Sequence, residues 1–344
     1  LVSLFVSFLV FFVVKKLFYK LKILDNPLKY WKTRAPVPYS MWVVFFISFL
    51  ILSYFFVDHN YKLYLIWWFG LLITIISFID DMLNLSPKIR LLIQIIIGLT
   101  IWVSAIKIWY VSNIFWWIID LDSYYLQIFQ YKIFIVSLLF TVIWYVFIFN
   151  AINWTDWIPG NTSGLSIINF LILFLLWYIL FKNDNWDLLQ MNSKFIMSMS
   201  IILVWIIIPF WLYDVKEKVL MWDSWTMFLA FMLASLSIIS GWKIATVLIV
   251  FWIYAVDAIY VILRRLYNKK SPLKWDFTHL HHRLLDLWMT KNQVLIFVYS
   301  FSFLFWLIGL FLNKLWKIII FVFIVFFVIF INRIIHKFKN YEKK

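Results

Sequence analysis

The chain has 344 residues, 65% of them hydrophobic and 14% charged, with a net charge of +15 and no cysteine. Apolar runs of about 17 to 22 residues match the thickness of a bilayer core, which excludes a soluble globular fold and predicts an all-α, polytopic membrane protein. The absent cysteines exclude disulfides, thiolate metal sites and cysteine nucleophiles. The basic residues sit in short loops beside apolar spans, so they are read as marks of the cytoplasmic side and not as a nucleic-acid surface.

In chain order, spans are expected at 1–19, 41–57, 64–79, 91–109, 132–151, 163–181, 194–213, 222–240, 243–263, 293–311 and 315–335, eleven in all. No polar segment is long enough to fold alone, so residues 1–344 read as one membrane domain. The first span reads as a helix rather than a signal peptide, because its apolar run is long and no small-residue cleavage site follows it. Lys20, Lys22, Lys29, Lys32 and Arg34 crowd the first loop, Arg264, Arg265, Lys269, Lys270, Lys274 and Arg283 the loop before the tenth span, and Arg333, Lys337, Lys339, Lys343 and Lys344 the tail. Under an eleven-span count all three lie on one side, which the positive-inside rule makes cytoplasmic.

On that same side fall the polar loops, at about 20–40, 80–90, 152–162, 214–223 and 264–292. They carry "DDMLNLSPKIRLLIQ" from Asp80, "NAINWTDWIPGNTSG" from Asn150, "MWDSWTMFL" from Met221 and "DFTHLHHRLLDL" from Asp276. Ionisable residues at the ends of spans are functional candidates by default. Asp80, Asp81, Asp156 and Asp223 form a hard-oxygen set suited to Mg2+ and phosphate, although an Asp-Asp pair taken alone is often an ordinary loop acid. His279, His281, His282 and Arg283 suit the holding of a diphosphate better than a zinc site, since no cysteine exists and His59 is expected on the opposite face. A solvated basic loop is the bland alternative for that stretch. No Walker loop, nucleophile triad or dinucleotide fingerprint occurs.

In their order and placement, "DDMLNLSPKIRLLIQ", "NAINWTDWIPG", "MWDSWTMFLAF" and "HLHHRLLDLWMTKNQ", with the upstream "ILDNPLKYWKTRAPVPYSMW", resemble the polyprenyl-phosphate N-acetylhexosamine-1-phosphate transferase family, glycosyltransferase family 4. The likeness covers about residues 12–310, and "HLHHRL" resembles the branch that transfers N-acetylglucosamine-1-phosphate to undecaprenyl phosphate. It implies attack of the lipid phosphate on a UDP-sugar with release of UMP, in the bacterial inner membrane, as the first membrane step of an envelope polysaccharide such as lipopolysaccharide or teichoic acid. It also implies Mg2+, or Mn2+ in its place, held by Asp223 with Asp80 and Asp81. Asn150, Asn153 and Asp156 would line the nucleotide, the three histidines and Arg283 the diphosphate or sugar, and Lys88 the lipid phosphate. A homodimer is left open. Pro159 departs from the family, which commonly has a second aspartate there.

Other readings are the phospho-N-acetylmuramoyl-pentapeptide branch, an intramembrane prenyltransferase and a transporter. The prenyltransferase would want a further aspartate where Asn84 stands, and a transporter would place its polar residues near the midplane.

Glycine numbers 6 and tryptophan 23, where an average chain of this length has about 24 glycines. The family usually has glycine where this chain has Trp42, Trp157, Trp222, Trp225 and Trp288. Several of these tryptophans, Trp154 among them, are therefore expected to be glycines in the native protein, through reading of UGA as glycine. Interfacial aromatic belts account for others.

Overall fold

The computed structural model describes residues 2–27, 34–38, 42–104, 106–112, 118–183, 187–239, 252–271, 279–287, 289–311, 316, 319–320 and 322–330. They are mostly helical. Helices α1 (Val2–Lys20), α2 (Trp42–Phe56), α3 (Tyr61–Leu83) and α4 (Pro87–Val103) precede two small antiparallel hairpins, and α5 (Ile135–Asn153), α6 (Asn161–Asn183), α7 (Asp187–Asp214), α8 (Asp223–Ile239), α9 (Trp252–Tyr267), α10 (Leu280–Asp286) and α11 (Lys291–Phe311) follow. Among the described residues five helices are long and apolar enough to cross a membrane: Val2–Lys20, Tyr61–Leu83, Ile135–Asn153, Asn161–Lys182 and Gln190–Asp214. The protein is a multi-pass membrane protein. Of the expected spans, the one at 315–335 is described in part, at 316, 319–320 and 322–330, and the first part of 243–263 lies outside the described residues.

The chain divides into two compact units, Leu1–Leu85 with Pro159–Ser240 and Ser86–Ile158 with Gly241–Lys344. In the first, α6 packs on α7, α3 on α8, and α1 and α2 on α7. Helix α8 is buried on every side from Ser224 to Ile238, as an apolar helix at the centre of a bundle should be. Gly70 lets α3 come close to it: a Cβ there would stand 3.2 Å from the ring of Phe228.

In the second unit α4 packs on α5 and α9 on α5. The α4–α5 approach depends on Gly98, whose Cβ would lie 3.2 Å from the Val142 backbone. Helix α4 begins four residues before the span expected from 91, because Ser86 accepts the Ile89 N–H as a cap and Pro87 fits the first helical turn. Between α4 and α5 the expectation of an all-α chain needs amendment. Strands β1 (Tyr110–Ser112) and β2 (Ile118–Asp120) pair, as do β3 (Tyr125–Ile128) and β4 (Tyr131–Phe134). Their aromatic and β-branched residues fit a pleated surface better than a helix. Beneath them Lys107 is buried, bonded to Asp122 at 2.8 Å and set against the rings of Trp109 and Phe134.

Candidate active site

The acids come first. Helix α3 runs past its expected end to Leu83, so Asp80 and Asp81 lie in its last turn, which closes on a left-handed Asn84 (φ 51°). Asn84 donates to the Asp80 carbonyl, and the Asp80 carboxylate accepts the Leu85 N–H at 2.9 Å. Those two bonds fix the turn and keep Asp80 buried. Asp81 reaches across to α8, where its two oxygens accept the N–H groups of Asp223 and Ser224, both at 3.2 Å. It therefore caps the positive end of the buried helix, supplied by a residue 142 positions away.

Asp223 opens that helix, and the charges of Asp223 and Asp80 both act on Asp81. A carboxylate repelled by two others beside a helix N-terminus forms with them a donor set that a hard divalent cation would relieve. Among the described residues no three acid, histidine or cysteine side chains form a ready metal cage. Mg2+ asks for none, since it takes one or two carboxylates and completes its shell with water and substrate phosphate. The residues present fit it.

The second cluster lies in the other unit. Helix α5 ends at Asn153, and Asn150, one turn earlier, donates from its amide to Gln94 at 2.6 Å and to the Val146 carbonyl. The chain then turns, with Asp156 N–H bonded to the Asn153 carbonyl and Thr155 buried. Asp156 is half-buried and Trp157 exposed.

The histidine motif begins with His279 and continues into the short helix α10. His279, His281 and Arg283 are buried. The rings of His279 and His281 are parallel with centroids 5.8 Å apart, and His282 follows at 4.4 Å from His281. The loop meets them through its indoles: Trp154 lies 5.5 Å from His279 and Trp157 5.1 Å from His282. The Arg283 guanidinium sits over the Tyr260 ring at 4.8 Å. Burial pushes His281 well below its ordinary 6.5, helped by the neighbouring charges of His282 and His279. Among the described residues His281 Nε2 and Arg283 Nη2 are buried with no hydrogen-bond partner. Two such polar atoms on one short helix are the equipment for an anion.

Lys88 is exposed in the first turn of α4, bonded to none of the clustered side chains by any contact seen among the described residues. Pro159 is followed by Gly160 (φ 94°), whose N–H is bonded to Asp214 at 2.9 Å, and Ser163 donates to the same carboxylate oxygen at 2.7 Å. Asp214 thus holds the start of α6. Trp288 and the Trp42 side chain lie outside the described residues.

Three residues enter that sequence reasoning passed over. Gln94 orients Asn150, Asp214 fixes the start of α6, and Asp257 binds His279. Asp257 carried a usable signal, an acid within an otherwise apolar helix.

Carboxylates suited to magnesium and a buried guanidinium beside buried histidines suited to phosphate, in a multi-pass membrane protein, define the class of a membrane phosphoryl-transfer enzyme. Residues 63–241 match the model of glycosyl transferase family 4, and the chain belongs to that family. It is 26% identical over 266 residues, 74% of this chain and 68% of the other, to a probable undecaprenyl-phosphate N-acetylglucosaminyl 1-phosphate transferase of Bacillus subtilis. It is 28% identical over 283 residues, 78% of this chain and 80% of the other, to a phospho-N-acetylmuramoyl-pentapeptide-transferase of Staphylococcus epidermidis. A decaprenyl-phosphate N-acetylglucosaminephosphotransferase of Mycolicibacterium smegmatis is 27% identical over 181 residues, 47% of this chain and 44% of the other.

Proposed function

We propose that the protein transfers N-acetylglucosamine-1-phosphate from its UDP derivative to undecaprenyl phosphate, releasing UMP, as one membrane domain of the bacterial inner membrane working at the cytoplasmic face. The relatives in Bacillus subtilis and Mycolicibacterium smegmatis, named for N-acetylglucosaminyl phosphate transfer to a polyprenyl phosphate, support this substrate pair. The relative in Staphylococcus epidermidis represents the second reading, transfer of the muramoyl-pentapeptide unit. The observation that carries the proposal is the pair of buried polar atoms without a hydrogen-bond partner among the described residues, His281 Nε2 and Arg283 Nη2, in a chain that also collects Asp80, Asp81 and Asp223.

Phosphoryl transfer asks a protein for positioning and charge neutralisation more than for covalent chemistry. Asp223, with Asp81 and Asp80, would hold Mg2+ or Mn2+. When bound, the ion neutralises phosphate charge. Arg283, His279, His281 and His282 bind the diphosphate and sugar, and the planar Arg283 fork suits a bidentate grip. Asn150, Asn153 and Asp156 line the nucleotide side, with Gln94 fixing the Asn150 amide. Lys88 attracts the lipid phosphate from its exposed position. A homodimer is compatible with the chain and unnecessary to the chemistry.

The test is a membrane assay with radiolabelled UDP-N-acetylglucosamine and undecaprenyl phosphate, read as lipid-extractable label. Label that appears only when both substrates and Mg2+ are present is the expected result. Label only from UDP-N-acetylmuramoyl-pentapeptide would favour the second reading, and none from either donor would overturn both.

A further inference from the structure

We propose that Asp257 is a positioning residue for the transfer, holding His279 in one tautomer and fixing the start of the helix that carries His281, His282 and Arg283; this rests on the function proposed above. Asp257 lies in the apolar helix α9, 22 residues from the histidine it meets. Both carboxylate oxygens are used. One lies 2.8 Å from His279 Nδ1, and the other accepts the Leu280 N–H, also at 2.8 Å. Both side chains are buried.

An ionised carboxylate is acceptor-only, so Nδ1 must carry the hydrogen of this bond, which in the neutral ring leaves Nε2 as the acceptor. His279 has no side-chain capping bond of its own at the start of α10. The orphan backbone N–H of Leu280 is met by Asp257 instead. One acid thus sets both the ring's hydrogen and the helix's origin. The parallel stack of His279 on His281 passes that orientation along the motif. The arrangement parallels histidines oriented by a carboxylate in metal sites and catalytic triads, here turned toward phosphate.

Asp257→Asn separates these roles, because its amide oxygen still accepts the Leu280 N–H while the negative charge beside His279 is lost. The expected result is a fall in kcat of about 10- to 100-fold with little change in KM or thermal midpoint, and partial rescue by Asp257→Glu. Nitrogen-15 spectra of histidine-labelled protein give a readout independent of turnover: His279 should carry its hydrogen on Nδ1 in the parent and lose that preference in Asp257→Asn. Parent-like kcat in Asp257→Asn, or an unchanged His279 spectrum, would overturn the proposal. An inactive parent with the expected spectra would count against the proposed function and leave the positioning pair standing.

Independently of the histidines, we infer that positions 222 and 225 hold glycine in the protein its native cells make. Trp222 sits at φ 62°, in the left-handed region that favours glycine and strains a bulky side chain. Among the described residues five other non-glycine residues share that sign of φ, so the angle does not decide alone. Three residues on, Trp225 is 1% exposed, its ring centroid is 3.4 Å from that of Phe45, and its indole N–H is buried with no acceptor among the described residues. Aromatic pairs normally rest about 4.5–7 Å apart, and a fully buried indole is no interfacial anchor. Both positions flank Asp223. By contrast Trp154 and Trp157 pack on His279 and His282 at ordinary distances and show neither sign.

Mass spectrometry of the protein isolated from its native cells decides the matter. Peptides covering residues 219–228 should carry glycine at both positions, encoded by UGA. Tryptophan at either position, or a UGG codon there, would overturn the inference for that position.

Discussion

The two units of the chain handle charge in opposite ways. In the first, two aspartates are held largely by backbone: Asp80 by the turn that ends α3, and Asp81 by the N–H groups that begin α8. In the second, histidines and an arginine are held by one buried acid and by aromatic faces, and two of their polar atoms keep no partner among the described residues. Backbone caps make a rigid anionic platform, whereas side-chain partners leave an arginine and a histidine with bonding capacity to spare. The difference teaches that the acid cluster is built to stay put and the histidine cluster is built to receive.

Breaking the platform should have the largest effect. Asp223→Asn should lower kcat by about 1000-fold or more, read as lipid-extractable label. Chelation with EDTA should abolish turnover to a similar degree, and Mg2+ or Mn2+ should restore it; full activity in EDTA would remove the metal from the reaction. On the receiving side, Arg283→Gln should raise KM for the sugar nucleotide about tenfold, equivalent to about 1.4 kcal/mol, with Arg283→Lys intermediate. An Arg283→Gln variant with parent KM would show that the orphan guanidinium atom serves packing alone.

His281 yields a smaller effect with a defined sign. Its folded-state value is pushed below 6.5 by burial and by its histidine neighbours, so the unfolded chain binds more protons as pH falls through 6.5. Stability should therefore decline below that pH, and His281→Gln should flatten that limb of the thermal midpoint against pH. An unchanged acid limb would contradict the buried, neutral state. The smallest effect is expected at Lys88. As an exposed side chain it steers rather than grips, so Lys88→Ala should change KM for the lipid by about twofold and only at low salt.

What the sequence revealed divides by range. Apolar periodicity located α2, α3, α5 and α6 because span length is a local property, and the Ser86-Pro87 pair would have corrected the start of α4. The order of the motifs marked Asp81, Asp223 and the histidines as candidates. It could not show that Asp81 caps a helix 142 residues away, or that Asp257 meets His279, since pairings between helices leave no trace in a local pattern. Hairpins of three or four residues per strand lie below the reach of a span-length window. Trp222 and Trp225 were suspect by count, but only backbone angle and crowding separated them from Trp154 and Trp157.

The loop before α2 has a consequence for engineering. Asp25 accepts both arms of Arg34 and the Val37 N–H, and this knot is tied to the segment leading into Asp223 by Arg34 against Glu217 at 3.8 Å and by Leu220 N–H on the Pro38 carbonyl. The two segments stand far apart in sequence yet act as one splint. Chimeras with family relatives should therefore exchange residues 24–38 and 214–222 together, because a graft of either alone would set the Asp223 end of α8 against a foreign brace.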